Sequence, residues 1–389
     1  MNSFVIPDLR FVNLKIAFVV NTLACGGAEK ALLSLLGHFD TYLFQPLVVC
    51  LGSLAELGED LLSKGTTTIY WGLGDSRFGP RRLFRLLKIL RKESVDLICD
   101  AITQAQTQVL VAIAKKRLRV PAVCWVHNTG RVSPRFHQEL IARISLPRYN
   151  RIITVGSSQR NELCRAYHLD SEKVVTVHNG IPFEPFDNIP SPGNAKTTLG
   201  IEPSRSVIGI TAQLRPEKHH ENLLAAIRII TSHIPNVLLL IVGDGPRRTH
   251  LEQVSENLGI SKNVRFLGKR DNIPDIVAAY DVGVLSSLPV VETLPLAVLE
   301  YMAAAKPTVA TNVGSLSDIV FENKTGFLVP PQDPIALAGK IIKLLKEPYL
   351  AIDMGRQAAT IVRQRFSVQS MVSGLESCFR EVTVKRKPL

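Results

Sequence analysis

The sequence lacks any long uninterrupted apolar run. Its best candidates, Val109–Ala114 and Val237–Val242, fall far short of the roughly 18–20 apolar residues that a membrane-spanning helix needs. The start of the chain, MNSFVIPDLRFVNLK, contains neither the apolar core nor the small-residue cleavage site of a secretory signal peptide. We therefore expect a protein that stays in the cytoplasm.

Cysteine and aromatic residues are also sparse. The six cysteines are scattered without a C-x-x-C pair, so the sequence indicates neither a disulfide framework nor a zinc site, and we expect reduced, mostly buried thiols. Aromatic residues make up only 6% of the chain, and no helix-turn-helix pattern accompanies them. This composition argues against a nucleic-acid-binding protein.

Positive charge is present, but it is unevenly distributed. Residues 1–181 contain 23 Lys and Arg against 14 Asp and Glu, a net charge of +9, whereas the remaining residues contain 23 against 20, a net charge of +3. A basic first half predicts an anionic partner there: nucleic acid, a phospholipid surface or a phosphorylated acceptor.

Apolar runs alternate with helix-like segments along both halves of the chain. The run 14–20 leads through a glycine-containing loop into a helical pattern at 28–36, and a second series of the same kind starts at 206. This alternation predicts α/β domains with parallel strands and helical crossovers.

A proline-rich stretch, Ile181–Gly193, separates the two series and is interpreted as the interdomain connection. We expect two Rossmann-like domains facing each other across a cleft. The predicted domains are residues 1–181, completed by a C-terminal helix within 366–389, and residues 182–365.

Ligands of open parallel sheets bind where strands lead into helices, so these junctions hold the candidate site residues. In the first half, Gly27 lies at the first such turn, where a phosphate can approach the backbone of a helix N-terminus. His127 ends an apolar run and is expected to project into the cleft. A plain tight turn and a structural histidine are the alternative interpretations of these two residues.

In the second half, Arg215 and Lys218 follow a strand that ends at Thr211, and Gly243 follows the next strand. A planar guanidinium and a point-charge ammonium together suit a pyrophosphate, although a solvated charged loop also fits this pattern.

The segment 286–315 is the most specific part of the sequence. Glu292 precedes a helix whose first turn is expected to contain Pro295, and Glu300 lies inside that helix, seven residues intervening. Two carboxylates near one helix N-terminus can accept hydrogen bonds from sugar or ribose hydroxyls. Paired acids are common on protein surfaces, but carboxylates among apolar residues usually have a partner.

The segment 80–93, PRRLFRLLKILRKE, has two contrasting faces. Its leucines recur on one side of a predicted helix, and Arg81, Arg85, Lys88 and Lys92 recur on another. Such a helix can dock on anionic lipid, while the alternative is that its leucines pack on the domain's sheet. A second basic cluster, residues 115–119, favours docking.

Together these segments resemble glycosyltransferase family 4, the retaining enzymes with the GT-B fold. The resemblance extends from GGAEKALL near the start to TGFLVPPQDPIALAGKI near residue 340, and its most specific part is the E-x7-E element of Glu292 and Glu300. It implies that Glu292 contacts the donor sugar and that Glu300 contacts the ribose. It also implies that His127 lies by the donor sugar and the reaction centre, that Gly27 lies near the phosphates, and that Lys218 binds the pyrophosphate.

Gly243 and Leu296 complete the expected donor-binding set, with His127 and Glu292 as the catalytic residues. The chain departs from the family at Gln213, which stands where the phosphate arginine is usual. We expect Arg215, two residues later, to replace it.

The resemblance implies transfer of a sugar from a nucleoside diphosphate sugar to an acceptor hydroxyl with retention, without a metal or another cofactor. The expected acceptor is a lipid-linked or cell-surface glycan, as in lipopolysaccharide or exopolysaccharide synthesis, at the inner face of the membrane. The alternatives are a nucleotide-sugar epimerase of the same architecture and a glycosyltransferase that acts on a soluble small molecule.

Overall fold

The computed structural model describes residues 13–23, 26–54, 58, 61, 68–72, 80–127, 136–290 and 292–384. The chain forms two compact units, the first made of residues 1–179 and 368–389 and the second of residues 180–367. The predicted boundaries at 181 and 366 each differ from these by two residues.

The first unit is built on a parallel sheet whose described strands are ordered β3-β2-β1-β4-β5-β6-β7. Its inner strands are fully or largely buried because helices cover a parallel sheet, and this explains their apolar runs. The strands are β1 (Leu14–Val20), β2 (Phe44–Cys50), β3 (Thr68–Tyr70), β4 (Leu97–Asp100), β5 (Ala122–Val126), β6 (Arg151–Thr154) and β7 (Val174–Thr176). The helices between them are α1 (Gly27–His38), α2 (Pro80–Lys92), α3 (Ala105–Leu118), α4 (Phe136–Ser145) and α5 (Ser157–Tyr167).

The second unit repeats this architecture with the strand order β10-β9-β8-β11-β12-β13. Its strands are β8 (Val207–Thr211), β9 (Leu238–Val242), β10 (Val264–Gly268), β11 (Val282–Leu285), β12 (Thr308–Thr311) and β13 (Gly326–Val329). Its helices are α6 (Glu184–Asp187), α7 (Pro192–Thr198), α8 (His220–His233), α9 (Arg248–Asn257), α10 (Ile273–Ala278), α11 (Leu296–Ala303), α12 (Pro334–Lys346) and α13 (Pro348–Arg365). A last helix, α14 (Val368–Val384), returns to the first unit.

The prediction of two Rossmann-like α/β domains is confirmed. Both sheets place the first strand of their series beside the fourth, so the strand order reverses between β1 and β4 and again between β8 and β11. These are the switch points at which doubly wound sheets bind ligands beyond the strands' carboxyl ends.

The prediction for Ile181–Gly193 is wrong in one respect, since this stretch lies inside the second unit rather than between the units. The amide of Ile181 donates to the Phe366 carbonyl, and Pro185 and Pro192 stand in the first turns of α6 and α7. Proline starts helices because its fixed φ suits the first turn and its missing N–H has no helical acceptor there.

Two further expectations concern the whole chain. None of the described helices has the length and apolar character needed to cross a membrane. The described cysteines are free thiols, all of them buried except the half-buried Cys164, while Cys25 lies outside the described residues.

Candidate active site

The switch point of the second unit brings Lys218 and Glu292 together. Strands β8 and β11 pair directly, with Ile208 opposite Val282, so the segments that leave their carboxyl ends are neighbours. Lys218 ends a short 3-10 helix, Pro216–Lys218, after β8, and Glu292 lies in the loop after β11. The Lys218 ammonium forms an ion pair with the Glu292 carboxylate.

The surroundings of this pair are only partly solvated. The Glu292 side chain is 8% exposed and the Lys218 side chain 23%. The buried Ser287 hydroxyl donates to Oε2 of Glu292 over 2.7 Å, and the buried Ser286 hydroxyl donates to the Lys218 carbonyl over 3.0 Å. Removal of water strengthens the charge-assisted contacts of the Glu292 carboxylate, so this side chain is held in a defined position.

The loop that carries Glu292 rests on the loop after β12. Gly314 has a φ of +57°, and a Cβ at this position would lie 2.1 Å from the Glu292 carbonyl oxygen. The Ser315 amide donates to the Thr293 carbonyl over 2.8 Å. Only glycine allows both this backbone conformation and this close approach.

Helix α11 begins directly after this loop. Leu296 is its first residue and Pro295 is its N-cap, one position before the first turn in which we expected the proline. Glu300 is half-buried on the same helix, and its neighbour Tyr301 is buried with its hydroxyl oxygen accepting from the Thr211 amide over 2.6 Å. This contact ties α11 to the carboxyl end of β8.

Arg215 differs from Lys218 in its environment. Its side chain is 54% exposed, and its guanidinium lies 4.0 Å from the Glu217 carboxylate. The expectation that Arg215 replaces the phosphate arginine stays a prediction.

Gly243 is required first of all by the backbone conformation at the end of β9. Its φ is +133°, and a Cβ would lie 2.0 Å from the Ala212 carbonyl oxygen. Its amide donates to the Gly268 carbonyl over 2.9 Å. The glycine thus lets the exit of β9 pack on the exit of β8, and donor binding by Gly243 stays a prediction.

The other two candidates, Gly27 and His127, belong to the first unit. Gly27 is the exposed first residue of α1, and a Cβ there would meet no atom within 4 Å. Ala24 and Cys25, which precede it in the loop, lie outside the described residues. The exposed N-terminus of α1 remains a candidate for an anion.

His127 follows β5, and its ring contacts that of the buried Trp125 at an interplanar angle of 49°, with 4.4 Å between the centroids. Burial lowers the pKa of His127 to about 3, while the Ala101 backbone opposes this shift. The imidazole is therefore neutral at physiological pH. Thr103 donates to the Trp125 carbonyl over 3.2 Å and Gln159 to the Val126 carbonyl over 3.0 Å, which fixes the strand end that carries the histidine.

Asp100, at the end of β4, is a buried acid that the sequence did not single out. The Tyr149 hydroxyl donates to its Oδ2 over 2.8 Å. Burial raises the pKa of Asp100 to about 7, and hydrogen bonds from Thr107 and Tyr149 oppose this shift.

Three residues of the site in the second unit were also missed: Ser286, Ser287 and Gly314. The signal for the serines is a pair of small hydroxyl residues directly after an apolar strand. The contact of Ser286 with Lys218 becomes visible only when β11 is placed beside β8, and the contact of Ser287 with Glu292 only when the loop after β11 is folded.

Comparisons with known proteins agree with this architecture. Residues 25–184 match the family described as Glycosyltransferase Family 4, and residues 194–360 match Glycosyl transferases group 1. An uncharacterized glycosyltransferase of Methanocaldococcus jannaschii is 30% identical over 284 residues, which are 69% of this chain and 71% of the relative. The Escherichia coli UDP-Gal:alpha-D-GlcNAc-diphosphoundecaprenol alpha-1,3-galactosyltransferase is 24% identical over 318 residues, 79% of this chain and 80% of the relative.

Solved structures are similar over nearly the whole chain. Anabaena HepE in complex with UDP has a TM-score of 0.83 at 23% identity and covers 94% of this chain and 100% of its own. A glycosyltransferase from Rickettsia africae has a TM-score of 0.84 at 18% identity and covers 96% of this chain and 100% of its own. At these identities the likeness shows the fold.

Two Rossmann-like domains, together with matches to two glycosyltransferase family models, define a glycosyltransferase with the GT-B fold. The chain belongs to glycosyltransferase family 4. It is an enzyme that transfers a glycosyl group.

Proposed function

We propose that this enzyme moves a sugar from a nucleoside diphosphate sugar to an acceptor hydroxyl with retention at the anomeric carbon. The observation that carries the proposal is the Lys218–Glu292 pair at the β8/β11 switch point. An ammonium there can neutralise a departing diphosphate, and a carboxylate beside it can accept hydrogen bonds from the sugar.

Each candidate residue is proposed to bind the part of the donor that suits its chemistry. Lys218 and Arg215 meet the charge on the leaving diphosphate, and the N-terminus of α1 at Gly27 offers backbone amides to the phosphates. Glu292 and Glu300 accept from sugar and ribose hydroxyls. Neutral His127 can hydrogen-bond to the sugar without adding charge. We assign no covalent nucleophile, because delivery of the acceptor to the face from which the diphosphate leaves already gives retention.

A uridine diphosphate sugar is the donor that we propose. The E. coli relative is named for UDP-Gal as donor. Crystals of Anabaena HepE hold UDP and UDP-glucose. No metal is required in this proposal, since protein cations and backbone amides meet the diphosphate charge.

The acceptor that we propose is a lipid-linked glycan at an anionic membrane. Helix α2 supports this choice, because Arg81, Arg85 and Lys88 are exposed on it beside Phe84, whose exposed fraction is 68%. Arg85 also donates over 3.1 Å to the carbonyl of Gly72, and the residue before Gly72, Trp71, is 53% exposed. Cations interleaved with exposed aromatic rings suit the interface of an anionic bilayer.

The two interpretations of this helix both hold in part. Leu86 and Leu90 are buried in the core of the first unit, and Leu83 and Leu87 pack against it, so the leucine face does not reach lipid. The basic face remains exposed. The second basic cluster contributes less, because Lys115 donates to the Arg148 carbonyl and burial lowers its pKa.

A soluble acceptor is the alternative, and the names of several other relatives favour it. N-acetyl-alpha-D-glucosaminyl L-malate synthase of Bacillus anthracis is 25% identical over 77% of this chain, and D-inositol 3-phosphate glycosyltransferases match at 28–32%. Both names specify small acceptors. Transfer to a soluble hydroxyl compound in the absence of lipid would support this alternative.

The test is to incubate the purified enzyme with UDP-sugars, with and without a lipid-linked acceptor, and to read the product's anomeric configuration by NMR. We expect retention, and a rise in melting temperature with UDP, since saturation at about 100 times Kd stabilises a protein by about 2.7 kcal/mol. An inverted product would contradict retention. An isomerised sugar formed from the donor alone would indicate an epimerase. A rise in melting temperature with DNA or RNA at physiological salt would indicate a nucleic-acid partner.

A further inference from the structure

Lys218 and Glu292 are assigned to different parts of the donor, yet here they bind each other. The ammonium of Lys218 is expected on the diphosphate, and the carboxylate of Glu292 on the sugar. In the structure the ammonium is paired with Oε2 of Glu292. A lysine ammonium is a compact point charge, and strong pairing with one anion weakens its interaction with another.

Each member of this pair is held independently by one of two consecutive serines. Ser286 holds the backbone of Lys218, because its hydroxyl donates to the Lys218 carbonyl over 3.0 Å. Ser287 donates to the same carboxylate oxygen that Lys218 binds, over 2.7 Å. The Ser287 carbonyl in turn accepts from the Thr311 hydroxyl over 2.7 Å, which ties the serine to the neighbouring strand β12.

The backbone of Glu292 is fixed as well. Gly314 supports the Glu292 carbonyl, and the Ser315 amide binds the next carbonyl along the chain. Lys218 can therefore leave the carboxylate by rotation of its flexible side chain, while Glu292 keeps its backbone position and its Ser287 contact.

We infer that Glu292 and the donor diphosphate compete for Lys218, and that Ser287 is the positioning residue that holds Glu292 for the sugar once Lys218 has turned to the diphosphate. This inference rests on the proposed function, because it takes a nucleoside diphosphate as the ligand of Lys218. It adds that Lys218 exchanges Glu292 for the diphosphate when the donor binds. It also gives a role to Ser287, which was not among the residues predicted from the sequence.

The competition is tested by UDP binding, measured by calorimetry on the full chain. Glu292→Gln keeps the side chain's size but removes its charge, so UDP should bind roughly fivefold more tightly, as expected for release of a partly exposed ion pair. Lys218→Ala should weaken UDP binding by about tenfold or more.

The double variant distinguishes competition from simple repulsion between Glu292 and the diphosphate. If the two anions compete for Lys218, Glu292→Gln has almost no effect on UDP affinity in the Lys218→Ala background. Repulsion alone would give the same gain in both backgrounds, and that result would overturn the inference while leaving the proposed function standing. Absence of UDP and GDP binding to the unaltered enzyme would overturn both.

The role of Ser287 is tested by separating kcat from KM. Ser287→Ala should lower kcat by roughly tenfold and leave UDP affinity within about twofold, because Glu292 loses its donor while Lys218 keeps its diphosphate. Ser287→Thr restores a hydroxyl and should recover most of kcat. Ser232→Ala is the matched control, since that hydroxyl donates to a backbone carbonyl, Ile229, on the exposed face of α8.

Melting temperatures of all three serine variants report whether the fold is retained. A Ser287→Ala enzyme that folds and turns over like the Ser232→Ala control would overturn the positioning role. Loss of UDP affinity equal to the loss of kcat would also overturn it, because the serine would then support the whole site rather than Glu292.

Discussion

At the scale of single residues, the two cations of the proposed donor site differ in how firmly they are held. Lys218 is largely shielded and ion-paired, whereas Arg215 is mostly exposed and lies 4.0 Å from its nearest carboxylate. Exposed ion pairs contribute little because water and side-chain entropy oppose them. Lys218 is therefore expected to neutralise more of the diphosphate's negative charge than Arg215 does.

Lys218→Ala should lower kcat by roughly 100-fold to 1000-fold, the range for loss of one preorganised contact to a developing negative charge, with Arg215→Ala losing less. Steady-state rates with a UDP-sugar measure both effects. Lys340→Ala is the control, because it removes an exposed ion pair with Glu322 in the same unit. A greater loss in Arg215→Ala than in Lys218→Ala would reverse the assignment.

Asp100 should make the stability of the first unit depend on pH. Its pKa is raised from 3.8 to about 7, so the folded state binds the proton more tightly than the unfolded state does. The resulting stabilisation is complete below about pH 4 and is lost as the pH rises to about 7, with a slope of at most about 1.4 kcal/mol per pH unit.

Asp100→Asn mimics the protonated acid and should remove this loss. Urea unfolding of both proteins between about pH 5 and pH 8 measures the slopes. The exposed Asp353→Asn variant should keep the slope of the unaltered protein. Equal slopes in Asp100→Asn and the unaltered protein would show that Asp100 titrates alike in both states.

At the scale of loops and helices, the loop after β12 supports the loop that carries Glu292. Gly314→Ala should reduce turnover by more than tenfold, because a Cβ 2.1 Å from the Glu292 carbonyl forces the backbone apart and alanine is strained at a φ of +57°. Kinetics and thermal unfolding measure the two consequences.

Gly339→Ala is the matched glycine control. It lies within α12, and its Cβ would meet no atom within 4 Å, so alanine should stabilise the helix by about 0.5–1 kcal/mol without affecting turnover. Full activity in Gly314→Ala would show that the Glu292 loop does not depend on this contact.

Helix α2 should anchor the enzyme to anionic membranes. Vesicle co-sedimentation at low salt is expected to show binding that anionic lipid promotes and salt weakens, with each cation contributing about 1 kcal/mol. Changing Arg81, Arg85, Lys88 and Lys92 to Gln should abolish it, and Phe84→Ala should weaken it. The control changes Lys340, Lys343 and Lys346 to Gln on α12 of the second unit. Unchanged binding of the α2 variant would exclude this helix as the anchor.

At the scale of the whole molecule, the proposed chemistry relies on the chain's own positive charge, which is +12 in total. EDTA should therefore leave transfer within about twofold of its rate, because the proposed mechanism has Lys218, Arg215 and backbone amides neutralise the diphosphate. Assays with EDTA, and with EDTA followed by excess Mg²⁺, measure this. A large loss that Mg²⁺ restores would contradict the metal-independent mechanism.

Much of the fold could be predicted from the sequence, because buried parallel strands are apolar along their whole length. The predicted run 14–20 became the strand Leu14–Val20, and the series predicted to start at 206 begins with the strand Val207–Thr211. Two strands were missed: Thr68–Tyr70, with three residues, and Gly326–Val329, with four. Such short runs have too few residues to show a pattern.

Residues of the candidate site could be proposed from the sequence where their chemistry is strong and local. Lys218 and Glu292 stood out as charges at strand ends. Ser287 and Gly314 did not, because their importance depends on the Glu292 atoms that the fold places beside them. Asp100 was missed because its burial follows from neighbours on other strands and helices, such as Tyr149.

The return of α14 to the first unit has a consequence for the order in which the protein matures on the ribosome. Phe379 packs on Phe18 and Phe39, with ring centroids 6.1 and 6.3 Å apart, and the Asp40 amide donates to Glu376. The first unit thus cannot complete its core until residues 368–384 are made, and these are translated after the entire second unit. The domain that comes later in the sequence has all its residues available first, which reverses the usual N-terminal-first order. A released chain that ends after Ser367 would hold a complete second unit, while Phe18 and Phe39 of its first unit would lack their cover and form a surface suited to chaperone capture.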